Sequence, residues 1–229
     1  MRKLLALILI LVSPAALAAT AIDGCRVRLD DGRIARLDGI LAPAVVDPYG
    51  REAQHYLQSL LDAQPLTVPA DAPVDPYNAP LIDQNLPDGR SLSRLMIEGG
   101  YARVYPSLPG AAALLPAEDE ARRANRGLWT HPFYKVTTPE TADKILDHYG
   151  IVEGKVLQTA QVKGKTYLNF GPDWKTDFTV ELDRDTARQI DWKNLGGKDI
   201  RVRGWIDWTF GPHILVTETA QLELTDAAN

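Results

Sequence analysis

The chain has almost no cysteine: Cys25 is the only one among 229 residues. A single cysteine cannot form a disulfide within the chain, so the fold must rest on hydrophobic cores of ordinary size. Positive charge is also scarce, with 25 lysine and arginine residues against 30 aspartate and glutamate residues. Strong nonspecific binding of nucleic acid depends on neutralising phosphates, and this charge balance argues against it. We expect Cys25 to be a small buried hydrophobe rather than a reactive thiol.

Catalytic motifs are missing as well. The four histidines show no metal-ligand spacing: His55, His131, His148 and His213. The sequence offers no Ser-His-Asp or Cys-His arrangement for nucleophilic catalysis and no glycine-rich phosphate loop. These absences exclude the common hydrolase and nucleotide-binding signatures.

Long apolar runs are confined to the start of the chain. Two basic residues precede an apolar run over residues 4–12, and small residues follow up to Ala18. This order predicts a signal peptide over residues 1–18, cleaved after Ala18, and hence a periplasmic or secreted protein. An uncleaved membrane anchor is the alternative, but it needs about 20 apolar residues, and Ser13 and Pro14 interrupt the run. We expect no membrane span in the mature chain.

The sequence pattern over residues 19–130 predicts a hairpin followed by three helices and a long loop. The alternating residues up to Gly39 surround a turn at residues 30–33, which is typical of two antiparallel strands. Helical spacing indicates an amphipathic helix over residues 51–63, and Ser91 is placed to cap a second helix. A third helix is predicted after Pro116, with acidic residues early and basic residues late.

The character of the chain changes after residue 150. Residues 131–150 are predicted to be a linker with a short helix that begins at Thr138-Pro139 and ends near Tyr149. Five strand-like runs then follow, with a helical segment at 184–190 between the third and the fourth: 151–162, 166–170, 177–182, 200–208 and 213–224. This layout favours an OB-type barrel over residues 151–226, although other five-stranded barrels remain open.

Several short motifs in the first region occur together in a fixed order. They are Ala21-Ile22-Asp23-Gly24, Arg36-Leu37, Pro43, Tyr49-Gly50-Arg51-Glu52-Ala53, Ile97-Glu98-Gly99-Gly100-Tyr101-Ala102 and Arg126-Gly127-Leu128-Trp129. In order and spacing this region resembles the thermonuclease (staphylococcal nuclease-like) family. The resemblance implies an OB barrel with three helices. The predicted fold class is therefore α+β, with two OB-type β-barrels, the first decorated with three helices.

The resemblance also implies a catalytic set of two calcium-binding aspartates, a glutamate that activates water, and two arginines that neutralise phosphate. Only Arg36 matches this set. The other four positions hold residues that cannot do the same chemistry: Cys25, Leu41, Ala44 and Ala79. We therefore expect no catalytic residues, no metal site and no cofactor. Calcium would be needed only if the protein were an active nuclease after all.

Three functional hypotheses follow. The favoured one is an exported binding module that has lost nuclease activity, with a protein, an envelope component or nucleic acid as its partner. The alternative is an active or weakly active metal-dependent periplasmic nuclease with relocated ligands, for which Asp23, Asp38 and Asp47 are the candidates, although such scattered aspartates are usually solvated. The third is a purely structural envelope protein.

One strand of the second region suggests a nucleic-acid surface. Alternation along residues 201–208 places Arg201, Arg203 and Trp205 on one face, and this face would be exposed if the opposite face were core. Exposed arginines beside an aromatic ring suit a single strand of nucleic acid. The competing interpretation is that these side chains fill the barrel or the interface between domains.

Overall fold

The computed structural model describes residues 16–173 and 175–225. Most of the predicted signal peptide, residues 1–15, therefore lies outside the described residues. Among the residues described, no helix combines the length and the apolar character needed to cross a membrane. The predicted α+β class is confirmed, with short strands and helices grouped around separate cores.

The first domain, residues 16–131, contains eight short strands: β1 (Ala16–Leu17), β2 (Ala19–Ala21), β3 (Arg26–Leu29), β4 (Ile34–Leu37), β5 (Ile40–Leu41), β6 (Leu66–Thr67), β7 (Leu81–Ile82) and β8 (Arg103–Val104). Strands β2, β3, β4 and β7 form one sheet in that order, and β7 runs parallel to β4. Strands β5 and β8 form a further pair, and β6 pairs with β1, which lies within the predicted signal peptide. The predicted hairpin is confirmed as β3 and β4.

Three helices cover this sheet: α1 (Gly50–Ala63), α2 (Leu92–Glu98) and α3 (Leu115–Arg123). All three predicted helices are confirmed. Ser91 caps α2, because its hydroxyl accepts a hydrogen bond from the Arg94 backbone N–H at 3.2 Å. Ala53 and Leu57 on α1 are fully buried, four residues apart on the face that the hydrophobic spacing predicted.

The second barrel contains eight strand segments: β9 (Tyr149–Lys155), β10 (Gln158–Val162), β11 (Lys165–Asn169), β12 (Thr179–Leu182), β13 (Asp199–Trp205), β14 (Asp207–Trp208), β15 (Pro212–Val216) and β16 (Leu222–Leu224). A short helix, α4 (Thr186–Gln189), lies between β12 and β13 as predicted.

The strand pairs of the second barrel close a ring. The sheet order β10-β11-β12-β15-β14 joins at both ends to the β13-β9 pair, because β10 continues β9 and β14 continues β13. The β12-β15 pair is parallel and the others are antiparallel. Three of the five predicted strand runs are each divided into two segments, and the order of the runs along the chain is as predicted.

The segment that connects the two domains is short and packs against both of them. A 3-10 helix over Pro139–Ile145 is capped by Thr138, as predicted. It ends earlier than predicted, because Tyr149 already belongs to β9. A third buried cluster joins α3 to the start of the second barrel, and its buried members are Ala121, Leu128, Trp129, Tyr134 and Ile151. The two domains therefore share a hydrophobic contact.

Candidate functional site

The turn between β2 and β3 holds the first position of interest, Cys25. The Asp23 carboxylate closes this turn by accepting hydrogen bonds from the backbone N–H groups of Cys25 at 2.9 Å and Arg26 at 2.7 Å. It also accepts from the Arg26 side-chain Nε at 2.7 Å. Asp23 is thus committed to turn structure and to an ion pair.

The Cys25 side chain is sealed under α1. Only 4% of the residue is exposed, which confirms the prediction of a buried cysteine. A methyl group added to the neighbouring Gly24 would meet Cβ of Ala53 at 2.6 Å and Cβ of Ala42 at 2.7 Å, so helix and strand are in close contact here. Burial raises the pKa of the Cys25 thiol to about 12, and the Asp23 carboxylate adds to the rise. The thiol is therefore neutral and inaccessible.

Thiol labelling tests this environment. Because the thiolate is the reacting species, we expect a disulfide reagent at mildly alkaline pH to label native protein more slowly than urea-unfolded protein by on the order of a thousandfold. The measurement is the absorbance of the released reagent over time. Rapid stoichiometric labelling of the native protein would show that Cys25 is neither buried nor protonated.

Arg36, the retained arginine, lies on β4 and is already paired. Its Nη1 is 3.8 Å from Oδ2 of Asp75, its Nη2 donates to the Ile40 carbonyl at 3.4 Å, and its guanidinium lies 5.4 Å from the Tyr105 ring centre. The same Asp75 carboxylate accepts from the Ala79 backbone N–H at 2.9 Å. Arg36 is therefore tied to the loop that carries one of the replaced positions.

The remaining positions offer no side-chain oxygen ligand. Leu41 lies on β5 opposite Arg103, and Ala44 is exposed in the turn before α1. Asp38 is half-buried in a turn, where its carboxylate accepts from the Gly110 N–H at 3.0 Å and burial raises its pKa. Asp47 is exposed. Within residues 16–173 and 175–225, no three His, Cys, Asp or Glu side chains are grouped so as to hold a metal ion.

The interpretation of Arg203 as part of an exposed face is wrong, and the competing interpretation, that its side chain lies between the domains, is confirmed. Its side chain is 1% exposed and forms ion pairs with Glu118 on α3, which is fully buried, and with Glu223 on β16. Burial alone would lower the pKa of Arg203, but the combined attraction of Glu118, Tyr149 and Glu223 outweighs it, and the net direction is upward. The guanidinium is thus part of the contact between the domains.

Arg201 is also covered, so the prediction of an exposed arginine face is wrong for both residues. Its side chain is 11% exposed and contacts the carboxylates of Asp119 on α3 and Glu153 on β9, each at 3.0 Å. Trp205 alone of the three predicted residues is exposed, at 53%. The strand breaks at Ile206, and Trp208 beyond the break is also exposed, at 61%.

Glu118 was not recognised in the sequence as a structural group. The sequence around α3 does indicate that Glu118 is buried. Leu114, Ala117 and Ala121 are buried at helical spacing, and Glu118 lies within the same stripe. A carboxylate in an apolar stripe requires a partner, since an unpaired buried charge is costly. The partner, Arg203, lies 85 residues further along the chain.

Comparison with known proteins places the first domain in a family. The family model described as "Staphylococcal nuclease homologue" matches residues 33–131. The chain therefore belongs to the staphylococcal nuclease homologue family. Two relatives, from Escherichia coli O157:H7 and from Escherichia coli, are both named "Uncharacterized endonuclease". Each is 31% identical over 140 residues, which cover 57% of this chain and 91% of the relative.

Proposed function

We propose that this protein is an exported binding module whose nuclease-like domain no longer cleaves nucleic acid. The observation that carries the proposal is the chemistry of the four replaced positions. A thiol at Cys25, an isobutyl group at Leu41 and methyl groups at Ala44 and Ala79 stand where carboxylates and a guanidinium would be needed. Calcium takes six to eight oxygen ligands, usually including carboxylates, so these residues do not fit the metal.

The surviving arginine does not compensate for these losses. General acid-base catalysis and charge stabilisation each contribute factors of about a hundred or more to a hydrolytic rate. Arg36 is only 14% exposed and is paired with Asp75, which offsets the charge that a phosphate would need. A domain with these residues retains the framework of a nuclease without its reacting groups.

Export is the second part of the proposal. It is supported by the order of basic, apolar and small residues over residues 1–18, and it implies a periplasmic or secreted protein. The partner would be a protein, an envelope component or nucleic acid. Nucleic acid has the least support, because Arg201 and Arg203 are engaged with carboxylates.

An active metal-dependent nuclease is the second candidate function. The printed names of the two Escherichia coli relatives favour it. Calcium would then need ligands outside the family positions. Against this stands the engagement of Asp23 and Asp38 in hydrogen bonds to nearby backbone groups.

A digestion assay distinguishes the two candidates. The purified mature protein is incubated with single-stranded and duplex DNA and RNA in calcium, in magnesium and in chelator, beside an unrelated exported control protein. We expect no metal-dependent cleavage above the control. Cleavage that is lost in Arg36→Ala but kept in Arg33→Ala, an exposed arginine of the hairpin, would establish the nuclease instead.

A further inference from the structure

The outer face of the second barrel carries a cleft of about 510 Å³. This volume lies in the range of about 300 to 1,000 Å³ that is usual for small-molecule sites. The floor is the five-stranded sheet from β10 to β14, and the β14-β15 turn forms one rim. Residues important for its chemistry are Tyr167, Asn169, Thr179, Glu181, Phe210 and His213.

The strand register aligns a row of polar side chains across this floor. In order across the sheet they are Gln158, Asn169, Thr179, His213 and Asp207. The next residues along the three central strands have no exposed area and form the barrel core: Leu168, Val180 and Ile214. Alternation therefore places these three apolar side chains on the inner face and the polar row on the outer face. The core does not require those polar side chains.

His213 is the least satisfied member of the row. It is 6% exposed, and its Nδ1 lies 2.9 Å from Oδ1 of Asp207. An ionised carboxylate only accepts, so Nδ1 carries the hydrogen that is donated to Asp207. Nε2 is buried without a hydrogen-bond partner, and Oε2 of Glu181 is 3.8 Å away. A separation of 3.8 Å is too long for a direct hydrogen bond, so Nε2 and the Glu181 carboxylate lie side by side without bonding to each other.

A ligand that bonds to both groups must donate to the Glu181 carboxylate and fill the hydrogen-bonding position at Nε2. A vicinal diol fits this requirement, because one hydroxyl can donate to Glu181 and its neighbour, which can donate or accept, can bond to Nε2 of His213. A phosphate diester offers no donor. Glu181 also carries its own cation, since Nζ of Lys165 lies 2.9 Å from Oε1. The floor therefore carries no excess of positive charge, which suits an uncharged ligand better than a polyanion.

Aromatic side chains supply the apolar surface of the cleft. Tyr167 is half-buried in the floor, opposite Glu181 across the β11-β12 pair. Phe210 is 66% exposed at the rim and has a φ of 54°, a left-handed conformation that is rare for residues other than glycine. The C–H groups of a sugar ring pack against the negative face of an aromatic ring.

We infer that this cleft binds an uncharged saccharide chain. Vicinal hydroxyls form hydrogen bonds with Glu181 and with Nε2 of His213. Asn169 and Thr179 contact further hydroxyl or acetamido groups, and a ring face lies on Tyr167. The inference rests on the binding-module part of the proposed function and does not depend on the loss of nuclease activity. Of the partners proposed above, it favours an envelope component and identifies that component as an uncharged saccharide.

Calorimetric titration of the mature protein tests the inference. The probes are the trisaccharides of N-acetylglucosamine, β-linked glucose and α-linked glucose, each at millimolar concentration, with a thymidine oligonucleotide as the anionic comparison. We expect saturable binding of at least one trisaccharide, weakened about tenfold or more by Tyr167→Ala. Tyr77→Ala, which removes an 89% exposed tyrosine of the first domain, should leave the affinity unchanged.

A second variant keeps the test valid if Tyr167→Ala does not fold. Ala160→Trp fills the cleft from the neighbouring β10 position and should abolish binding while the unfolding midpoint is retained. Failure of all three trisaccharides to bind, equal binding by the variants, or oligonucleotide binding in this cleft would each overturn the inference. The digestion assay is unaffected by these outcomes, so the loss of nuclease activity stands or falls separately.

Discussion

Replacing Glu118 with glutamine should lower the free energy of unfolding by about 3 to 5 kcal/mol, the usual loss when one partner of a buried ion pair is removed. The Glu118 side chain is fully buried, accepts a hydrogen bond from the Val104 N–H at 2.7 Å and pairs with Arg203. The amide retains the size of the side chain but leaves the Arg203 guanidinium with Glu223 as its remaining carboxylate partner. Urea unfolding followed by tryptophan fluorescence measures the change.

The matched control is Glu120→Gln on the same helix. Its carboxylate is 66% exposed and pairs with Arg126 at 3.1 Å, so the expected change is within about 1 kcal/mol. The double variant Glu118→Leu with Arg203→Met should recover much of the loss, because apolar side chains of similar size avoid the desolvation of both charges. Equal losses in Glu118→Gln and Glu120→Gln would contradict the burial of the pair.

The substitution Tyr149→Ala should cost a similar amount, about 3 to 5 kcal/mol, because it removes a large side chain from the contact between the domains. Tyr149 is 4% exposed, and its hydroxyl donates to the Val104 carbonyl at 2.8 Å. Its ring lies 5.0 Å from the guanidinium carbon of Arg103, a fully buried cation, and its carbonyl accepts from that residue. Burial lowers the pKa of Arg103, and the aromatic ring offsets part of that cost.

Thermal unfolding of Tyr149→Ala provides the measurement, with Tyr77→Ala as the control. Tyr77 is 89% exposed, and its removal should change the free energy of unfolding by no more than about 0.5 kcal/mol. We also expect the single transition of the wild type to broaden in Tyr149→Ala, because the first domain and second barrel lose a shared contact. If the thermal unfolding midpoint of Tyr149→Ala equalled that of the wild type, this side chain would not stabilise the contact between the domains.

Local signals predicted much of the fold. Ser91 was enough to locate the start of α2, because capping depends on neighbouring residues. The spacing of Ala53 and Leu57 located α1 for the same reason. The order of five strand runs with one helix indicated the second barrel. These features depend on contacts within a few residues along the chain.

The prediction for Arg201 and Arg203 failed because alternation identifies two faces of a strand without showing what covers each. The face opposite the core is covered by α3 of the first domain, which supplies Glu118 and Asp119. That contact joins residues more than 80 positions apart, and no local pattern encodes it. The pairing of Arg36 with Asp75 escaped prediction for the same reason.

The shared burial of Glu118 and Arg203 also bears on where the protein can be cut. The similarity to the relatives covers 91% of their length but only 57% of this chain, and the family match ends at residue 131. A fragment ending there would expose the Glu118 carboxylate and remove the Tyr149 ring from Arg103. Residue 131, where the family match ends, is therefore a poor boundary for an expression fragment. We expect a stable fragment to retain the second barrel.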